Sequence, residues 1–474
     1  MLATVFTSDT PSRKQRIGAE LRALWLLAWP ILVGQLANVG MAVVDVAMAG
    51  HASADDLAGV SLGVSIWNIV IITLMGVMMS VSPLVAHYVG AKEFDRVPHV
   101  VRQGLWKALG VGFIALLVAN LAAQVFHTMA IDPSVRTLAL NFVLITSLGL
   151  PAFTCYRVLY GYSTSINQTK PLMAIALGAL LLNGLVNWLL VFGNWGFPKL
   201  GGLGCAWATL LCVWFNLGGL LWWMRRSDAY HATWPFAAYE APHWPQLRHL
   251  LHLGLPIGVT YFAETSAFGL IALLIAKFGS AEIAAHQIAL NFTSLVFMVP
   301  LSLGLAVLTR VGQGLGAGDP AVARFRAWVG VNLALVFAVF SALGMALFNT
   351  HIADAYTNDV AVATLAAHLM FLAAIFQLSD ATQVVTACAI RGYKVTRMPM
   401  VIHLTAFWLV SLPLGYALGL APAWLPWQQA PMGAAGFWLA LIVGLTIAAM
   451  GLVVLLRHTA RKHLAPLVPA LPTV

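Results

Sequence analysis

Leu21-Arg22-Ala23-Leu24-Trp25-Leu26-Leu27-Ala28-Trp29-Pro30-Ile31-Leu32-Val33 returns 226 residues later as Leu247-Arg248-His249-Leu250-Leu251-His252-Leu253-Gly254-Leu255-Pro256-Ile257-Gly258-Val259, with seven identities in thirteen positions. The same offset lays Asp56-Leu57-Ala58 on Glu282-Ile283-Ala284, and Gly90-Ala91 on Gly316-Ala317. One offset held over some seventy residues marks a duplication rather than shared leucine richness. Further along the register drifts slightly: Pro171 answers Pro399, and Gly202 with Trp207 answers Gly433 with Trp438.

Each repeat is made of long apolar runs. The chain is 61% hydrophobic and 9% charged, whereas a soluble domain carries about 25% charge. Its solvent is therefore the hydrocarbon of a bilayer, where backbone groups must be satisfied within helices or a closed barrel. The runs show no period-2 alternation and are long enough to cross, so they read as helices. Spans are expected at about 22–48, 57–85, 101–125, 137–160, 171–192, 201–224, 249–277, 284–308, 327–348, 363–388, 400–420 and 434–456. Arg13-Lys14-Gln15-Arg16 imitates the start of a signal peptide, but the run from Leu21 to Ala49 is too long to be a cleavable one.

The fold expected is an all-α membrane protein of about twelve transmembrane helices in two pseudo-symmetric lobes of six. Six is even, so the lobes share one orientation and are related by an axis along the membrane normal. The first lobe takes 1–230 and the second 231–474, with a polar linker over about 225–248. With the N-terminus inside, 22 of the 25 Lys and Arg fall on the inner side, leaving Arg136, Lys199 and Lys277 outside. That bias places both termini in the cytoplasm. A cleft between two such lobes suits alternating access, with substrate held near the midplane.

Other classes fit poorly. The net charge of +9 belongs to inner loops and not to a nucleic-acid surface. Cys155, Cys205, Cys212 and Cys388 all fall inside spans and lack metal-ligand spacing. Gly312-Gln313-Gly314-Leu315-Gly316 follows a membrane helix, and no Gly-Lys-Ser/Thr occurs, so the energy source is an ion gradient rather than a nucleotide. Asp95-Arg96 lacks the glycines of a major-facilitator loop, and no cluster of His, Cys or Asp supports a membrane enzyme. Ser53-Ala54-Asp55-Asp56 reads as a cap opening the second span, and His286 as a helix-packing residue.

The acids carry the sharpest signal. Of sixteen, only Asp45, Glu264 and Asp380 lie well inside spans, where a carboxylate costs at least ~3 kcal/mol and usually faces a cavity. Asn183 and Asn187 are four apart and project from one face of the fifth span. With Asp45 they offer either oxygen ligands for Na⁺ or a network around a proton-carrying Asp. Glu264 and Asp380 form a candidate second site, also able to hold Na⁺, since two close carboxylates favour sharing a proton or cation. Gln287, Phe268 and Phe376 are candidates to line the same cavity, ring faces suiting an organic cation.

Five segments resemble the multidrug and toxic compound extrusion (MATE) family, NorM-type bacterial branch. They are Val44-Asp45-Val46-Ala47-Met48-Ala49-Gly50, Phe262-Ala263-Glu264, Ala284-Ala285-His286-Gln287-Ile288, Phe376-Gln377-Leu378-Ser379-Asp380, and Arg391-Gly392-Tyr393 with Pro399 beyond. The resemblance implies a V-shaped, two-lobed transporter of the bacterial inner membrane. It implies secondary active multidrug efflux of cationic and other amphipathic drugs by antiport with Na⁺ or H⁺. It matches Glu264 and Asp380 to a cation site in the second lobe, and Asp45, Asn183 and Asn187 to one in the first. Asp45, Ser65, Glu264, Phe268, Gln287, Asp359, Phe376 and Asp380 then meet the drug. Phe376 stands where the branch often has Tyr, and Asn358-Asp359 where a pair of acids can occur. No cofactor beyond the coupling ion is expected, and the chain reads as a monomer in contact with membrane lipid. A lipid-linked saccharide flippase is the rival of related fold. Its anionic substrate calls for deep basic residues, whereas the basic residues here read as lying at inner helix ends.

Overall fold

The computed structural model describes residues 12–421 and 430–464. The first lobe holds α1 (Arg13–Ala52), α2 (Ala54–Met78), α3 (Val81–Gly90), α4 (Val97–Ala123), α5 (Pro133–Ser147), α6 (Leu150–Ser165), α7 (Lys170–Phe192) and α8 (Gly202–Arg226). The second holds α9 (Trp244–Ile275), α10 (Ser280–Gly316), α11 (Pro320–Leu347), α12 (Asn349–Tyr356), α13 (Val360–Gly392), α14 (Arg397–Leu404), α15 (Leu412–Leu420) and α16 (Gly433–Leu464). Among the described residues eleven helical runs are long and apolar enough to cross a membrane. The bent pair α5–α6 makes a twelfth. Large apolar side chains such as Phe113, Leu121, Leu181, Leu273 and Phe340 are exposed, as a lipid-facing surface requires.

Prolines set the breaks. A proline lacks the N–H for the helix ladder, and its ring collides with the carbonyl four residues back. Pro83 parts α2 from α3 opposite Met79, and Pro151 bends α5 against α6 by 45° opposite Ser147. Pro413 follows a π-helical stretch, Thr405–Ser411, that joins α14 to α15. At the first break Lys107 Nζ donates to the Val77 carbonyl, 3.0 Å, and to Ser80 Oγ, 2.7 Å, so the end of α2 keeps a hydrogen-bond partner. Ser53 accepts from the Asp56 N–H at 2.9 Å, while the Asp56 carboxylate takes the Ser53 hydroxyl and the Gly202 N–H.

Several spans run further than hydropathy alone suggested: α10 reaches Gly316, α13 Gly392 and α16 Leu464. The glycine-rich stretch 312–316 therefore lies inside a helix, and its use is close packing. A methyl group at Gly316 would strike the His87 carbonyl, and one at Gly90 the Gln313 carbonyl. His87 and Gln313 are themselves 226 residues apart, as are Gly90 and Gly316. The contact is reciprocal, so the pseudo-twofold axis passes through it. Gly254 lies equally tight against Val77. Gln313 Nε2 donates across the seam to the Ser165 carbonyl at 3.0 Å, and Arg310 grips Glu20 at 2.8 and 2.6 Å. Among the described residues every hydrogen bond between the lobes lies in the half of the molecule that carries the basic helix ends. The lobes meet there and part toward the other end, forming a V.

The linker packs on the first lobe. Tyr230 is fully buried and donates to Ser163 at 3.1 Å. Glu240 binds Arg102 at 2.7 Å and also pairs with His99, while Gln103 bridges the Ala241 carbonyl and the His243 N–H. Partial burial opposes ionisation of Glu240, but the hydrogen bonds from Arg102 and His99 outweigh it and hold the carboxyl below its ordinary value. Its contribution to stability is therefore complete above the usual glutamate pKa of about 4.3 and is lost as the pH falls through the lowered value. Glu240→Gln is expected to cost about 1 kcal/mol at pH 7. Thermal unfolding of the purified protein should show a deficit of a few degrees at pH 7 that begins to shrink below the usual glutamate pKa of about 4.3 and is gone only once the pH lies below the lowered folded value. An equal deficit at both pH values would contradict the ionic contact.

Candidate functional site

Asp45 sits near the C-terminal end of α1, buried against α7 and α8. Its Oδ1 accepts from Asn183 Nδ2 at 2.9 Å and Asn187 Nδ2 at 2.6 Å, and its Oδ2 from Thr209 Oγ1 at 3.2 Å. The 183/187 spacing puts both amides on one face of α7, and that face meets Asp45. With both amide nitrogens so engaged, Asn183 Oδ1 and Asn187 Oδ1 are buried without a partner. Two free amide oxygens beside a carboxylate form a donor set suited to a hard cation. Thr209 belongs to the site although nothing in its sequence surroundings marked it. A cavity of about 290 Å³ opens from this network into the first lobe, bounded by Asp45, Trp67, Tyr156, Arg157, Asn183 and Asn216 among others.

In the second lobe Asp380 is buried on α13 and accepts from Gln383 Nε2 at 3.3 Å. Gln383 Oε1 lies 2.6 Å from His403 Nε2, and His403 Nδ1 lies 2.7 Å from the Pro399 carbonyl. Glu264, on α9, is half-buried and makes no hydrogen bond among the described residues, yet its charge interacts with those of Asp380 and Arg391. The two acids thus share one electrostatic environment without touching through a hydrogen bond.

Two basic residues require correction. The charge count put Lys107, Arg157 and Arg391 on the inner side, at helix ends. All three are buried, but Lys107 and Arg157 lie well inside α4 and α6, while Arg391 does sit in the last turn of α13. Arg391 Nη1 donates to the Tyr261 hydroxyl at 3.3 Å, and its guanidinium lies 5.2 Å from the centre of that ring. Glu264 therefore has a basic neighbour after all.

The remaining candidates separate by position. Phe376 is 2% exposed and fills the core between Phe268 and Trp438, with ring centroids 6.3 and 5.6 Å away; it does not line the cleft. Phe268 is partly buried and also meets Phe407 at 5.9 Å. Ser65 is exposed and its hydroxyl donates to the Ser61 carbonyl. It lies about three turns from Gly76 on the same face of α2, the face that meets α9 lower down. Gln287, also exposed, shares a face of α10 with Gly312, which packs on Ala86. Both residues are thus exposed on helices whose other ends pack against the opposite lobe. Asp359 instead caps α13, accepting from the Ala361 and Val362 N–H groups at 2.9 and 3.2 Å. His286 accepts from Trp438 Nε1 at 3.2 Å, as a packing residue does.

The MatE family profile matches residues 30–189 and again 256–417, the two starts separated by the same 226 residues as the repeat. The chain belongs to the MatE family. It is accordingly a multi-pass inner-membrane transporter and not an enzyme. Over 454 residues it is 43% identical to multidrug resistance protein PmpM of Pseudomonas aeruginosa, covering 96% of this chain and 94% of that one. Over 465 residues it is 38% identical to the probable multidrug resistance protein NorM of Chromobacterium violaceum, covering 97% and 98%. Among solved MatE-like structures, the eukaryotic MATE transporter AtDTX14 superposes with a TM-score of 0.84 at 20% identity, over 94% of this chain and 98% of that one. An outward-facing multidrug resistance MATE family transporter gives 0.82 at 16% identity, over 94% and 96%. At these identities the structural likeness speaks for the fold alone.

Proposed function

We propose that this MatE protein exports amphipathic, mostly cationic drugs by antiport with Na⁺ or H⁺. The observation that carries the reading is a cleft closed at the basic end with deep acids in both lobes, Asp45 in one and Glu264 with Asp380 in the other. Relatives at 38–43% identity carry multidrug resistance names, which supports drugs as the cargo. A cation entering either acidic site offsets the cost of a carboxylate in a low-dielectric cleft. A ligand drives a conformational switch only through its different affinities for the two states, and closing the cleft over a neutralised acid supplies that difference. Ethidium efflux from proteoliposomes, with Na⁺ and pH gradients imposed separately, tests the reading. Ethidium movement indifferent to both gradients would contradict it.

The charge asymmetry supports cytoplasmic termini and an outward-opening cleft. A single cysteine placed at 349–359 should react with an impermeant thiol reagent added outside intact cells, and one at 92–96 should not. The four native cysteines are buried, so background labelling is low. Reversed labelling would overturn the orientation.

A further inference from the structure

Four side chains line a recess between α11 and α16: Arg324 and Trp328 from the first helix, Arg457 and Arg461 from the second. Each pair is four residues apart and so shares one face of its helix. The recess holds about 380 Å³, within the range of ligand pockets, about 300–1,000 Å³. The three arginines are exposed, and the Arg457 guanidinium lies 5.5 Å from the centre of the half-buried Trp328 ring. Among the described residues no acid pairs with any of the three, and none of them donates a hydrogen bond. Two acids of neighbouring segments are committed elsewhere. Glu20 is held by Arg310 and Arg326, and Asp319 accepts from the Val322 N–H at 2.9 Å.

Basic residues at one membrane face are common and by themselves specify no ligand. Here three of them border one space, where like charges repel unless an anion lies between them. The surroundings name the anion. Along α16 the face that carries Arg461 and Arg457 continues, at spacings of three and four, into Val454 and Met450, both exposed and apolar. From Arg457 to Met450 is roughly 10 Å along the helix. The surface thus passes from lipid-facing side chains to guanidiniums within two turns, and tryptophan is a residue type that settles at headgroup level. The planar fork of a guanidinium matches a phosphate, and basic pockets between membrane helices take anionic head groups.

We propose that this recess is a headgroup site for an anionic phospholipid, its phosphate held by Arg324, Arg457 and Arg461 and its acyl chains lying along Val454 and Met450. The inference needs only the membrane-spanning fold and does not depend on the export reading. Three guanidiniums exceed the charge of one phosphate diester, so a lipid with two phosphates is held more tightly than a lipid with one.

Native mass spectrometry of the purified full-length protein in detergent tests it, with cardiolipin (two phosphates), phosphatidylglycerol (one) and zwitterionic phosphatidylcholine as probes. Wild type is expected to bind both anionic lipids about tenfold or more tighter than phosphatidylcholine, with cardiolipin first. Replacing Arg324, Arg457 and Arg461 together with Gln should lower affinity for the anionic lipids about tenfold or more. Phosphatidylcholine should bind that variant as it binds wild type, which also reports that the variant is folded. Replacing Arg225, Arg226 and Arg248 with Gln removes the same charge from other exposed helix ends and should leave anionic-lipid binding at the wild-type level. Equal losses in the two triple variants, no loss in the first, or no anionic preference in wild type would each overturn the inference. Displacement of phosphatidylglycerol by an equal concentration of inorganic phosphate would overturn it too, since the recess would then serve a soluble anion.

Discussion

Asp45→Asn reaches the membrane at wild-type levels and loses about two orders of magnitude in the rate of ethidium export. The first half follows from the hydrogen bonds. An asparagine at 45 still presents one carbonyl oxygen to Asn183 and Asn187, and its new amide faces the Thr209 hydroxyl. The network can close in either form, so the fold is spared. The second half follows from charge. An ion at membrane depth is worth about 3 kcal/mol, and a differential effect of that size on one step is about a hundredfold in rate. Efflux from proteoliposomes, normalised to the protein reconstituted, measures it. Wild-type export by Asp45→Asn would remove the first-lobe acid from the coupling mechanism.

Asp380→Asn and Glu264→Gln should differ. Both are expected to lower drug affinity and flatten its dependence on Na⁺ and pH, because coupling ion and drug exclude each other where they neutralise the same charge. Arg391 stands beside Glu264 and already compensates part of it, whereas Asp380 is met by the neutral amide of Gln383. The larger effect therefore belongs to Asp380→Asn, about tenfold or more in drug affinity, with a few-fold change for Glu264→Gln. Drug binding to purified protein across a Na⁺ series and a pH series reads both. If both variants keep the wild-type ion dependence, the second lobe does not hold the competing ion. Coupling would then rest on Asp45 and its asparagines.

The acids were legible in the sequence because a carboxylate inside an apolar run is rare and costly. The repeat was legible because proline and glycine mark backbone geometry that both halves share. The basic residues were misplaced for a related reason: hydropathy trims a helix where polar side chains begin, yet backbone and packing carry the helix on. Arg391 falls in such a trimmed turn and Arg157 close to one, whereas Lys107 lay inside the expected span and was nonetheless counted with the inner loop. Thr209, Gln383 and His403 lay beyond reach for a different reason. Thr209 and Gln383 each meet an acid, and His403 meets Gln383, through bonds set by local helix spacing or by packing between helices, and a threonine or glutamine in a membrane helix has many possible uses. Phe376 was read as cleft-lining because a ring face suits an organic cation; an aromatic ring serves equally as core filler, and Phe376 does so here.

The reciprocal glycine seat at His87, Gly90, Gln313 and Gly316 places the fulcrum of the molecule at one extremity. From Gly316 to the far end of α10 is roughly 54 Å at 1.5 Å per residue. If the lobes tilt about this seat as rigid arms, each degree of rotation carries the rim about 1 Å. A shift of a few tenths of an ångström where the backbones touch becomes a gap wide enough for a drug at the mouth. The gearing also runs in reverse. Under the antiport proposed above, a cation acting deep in a lobe would have only to tip the arm slightly, and the length of the helix supplies the travel.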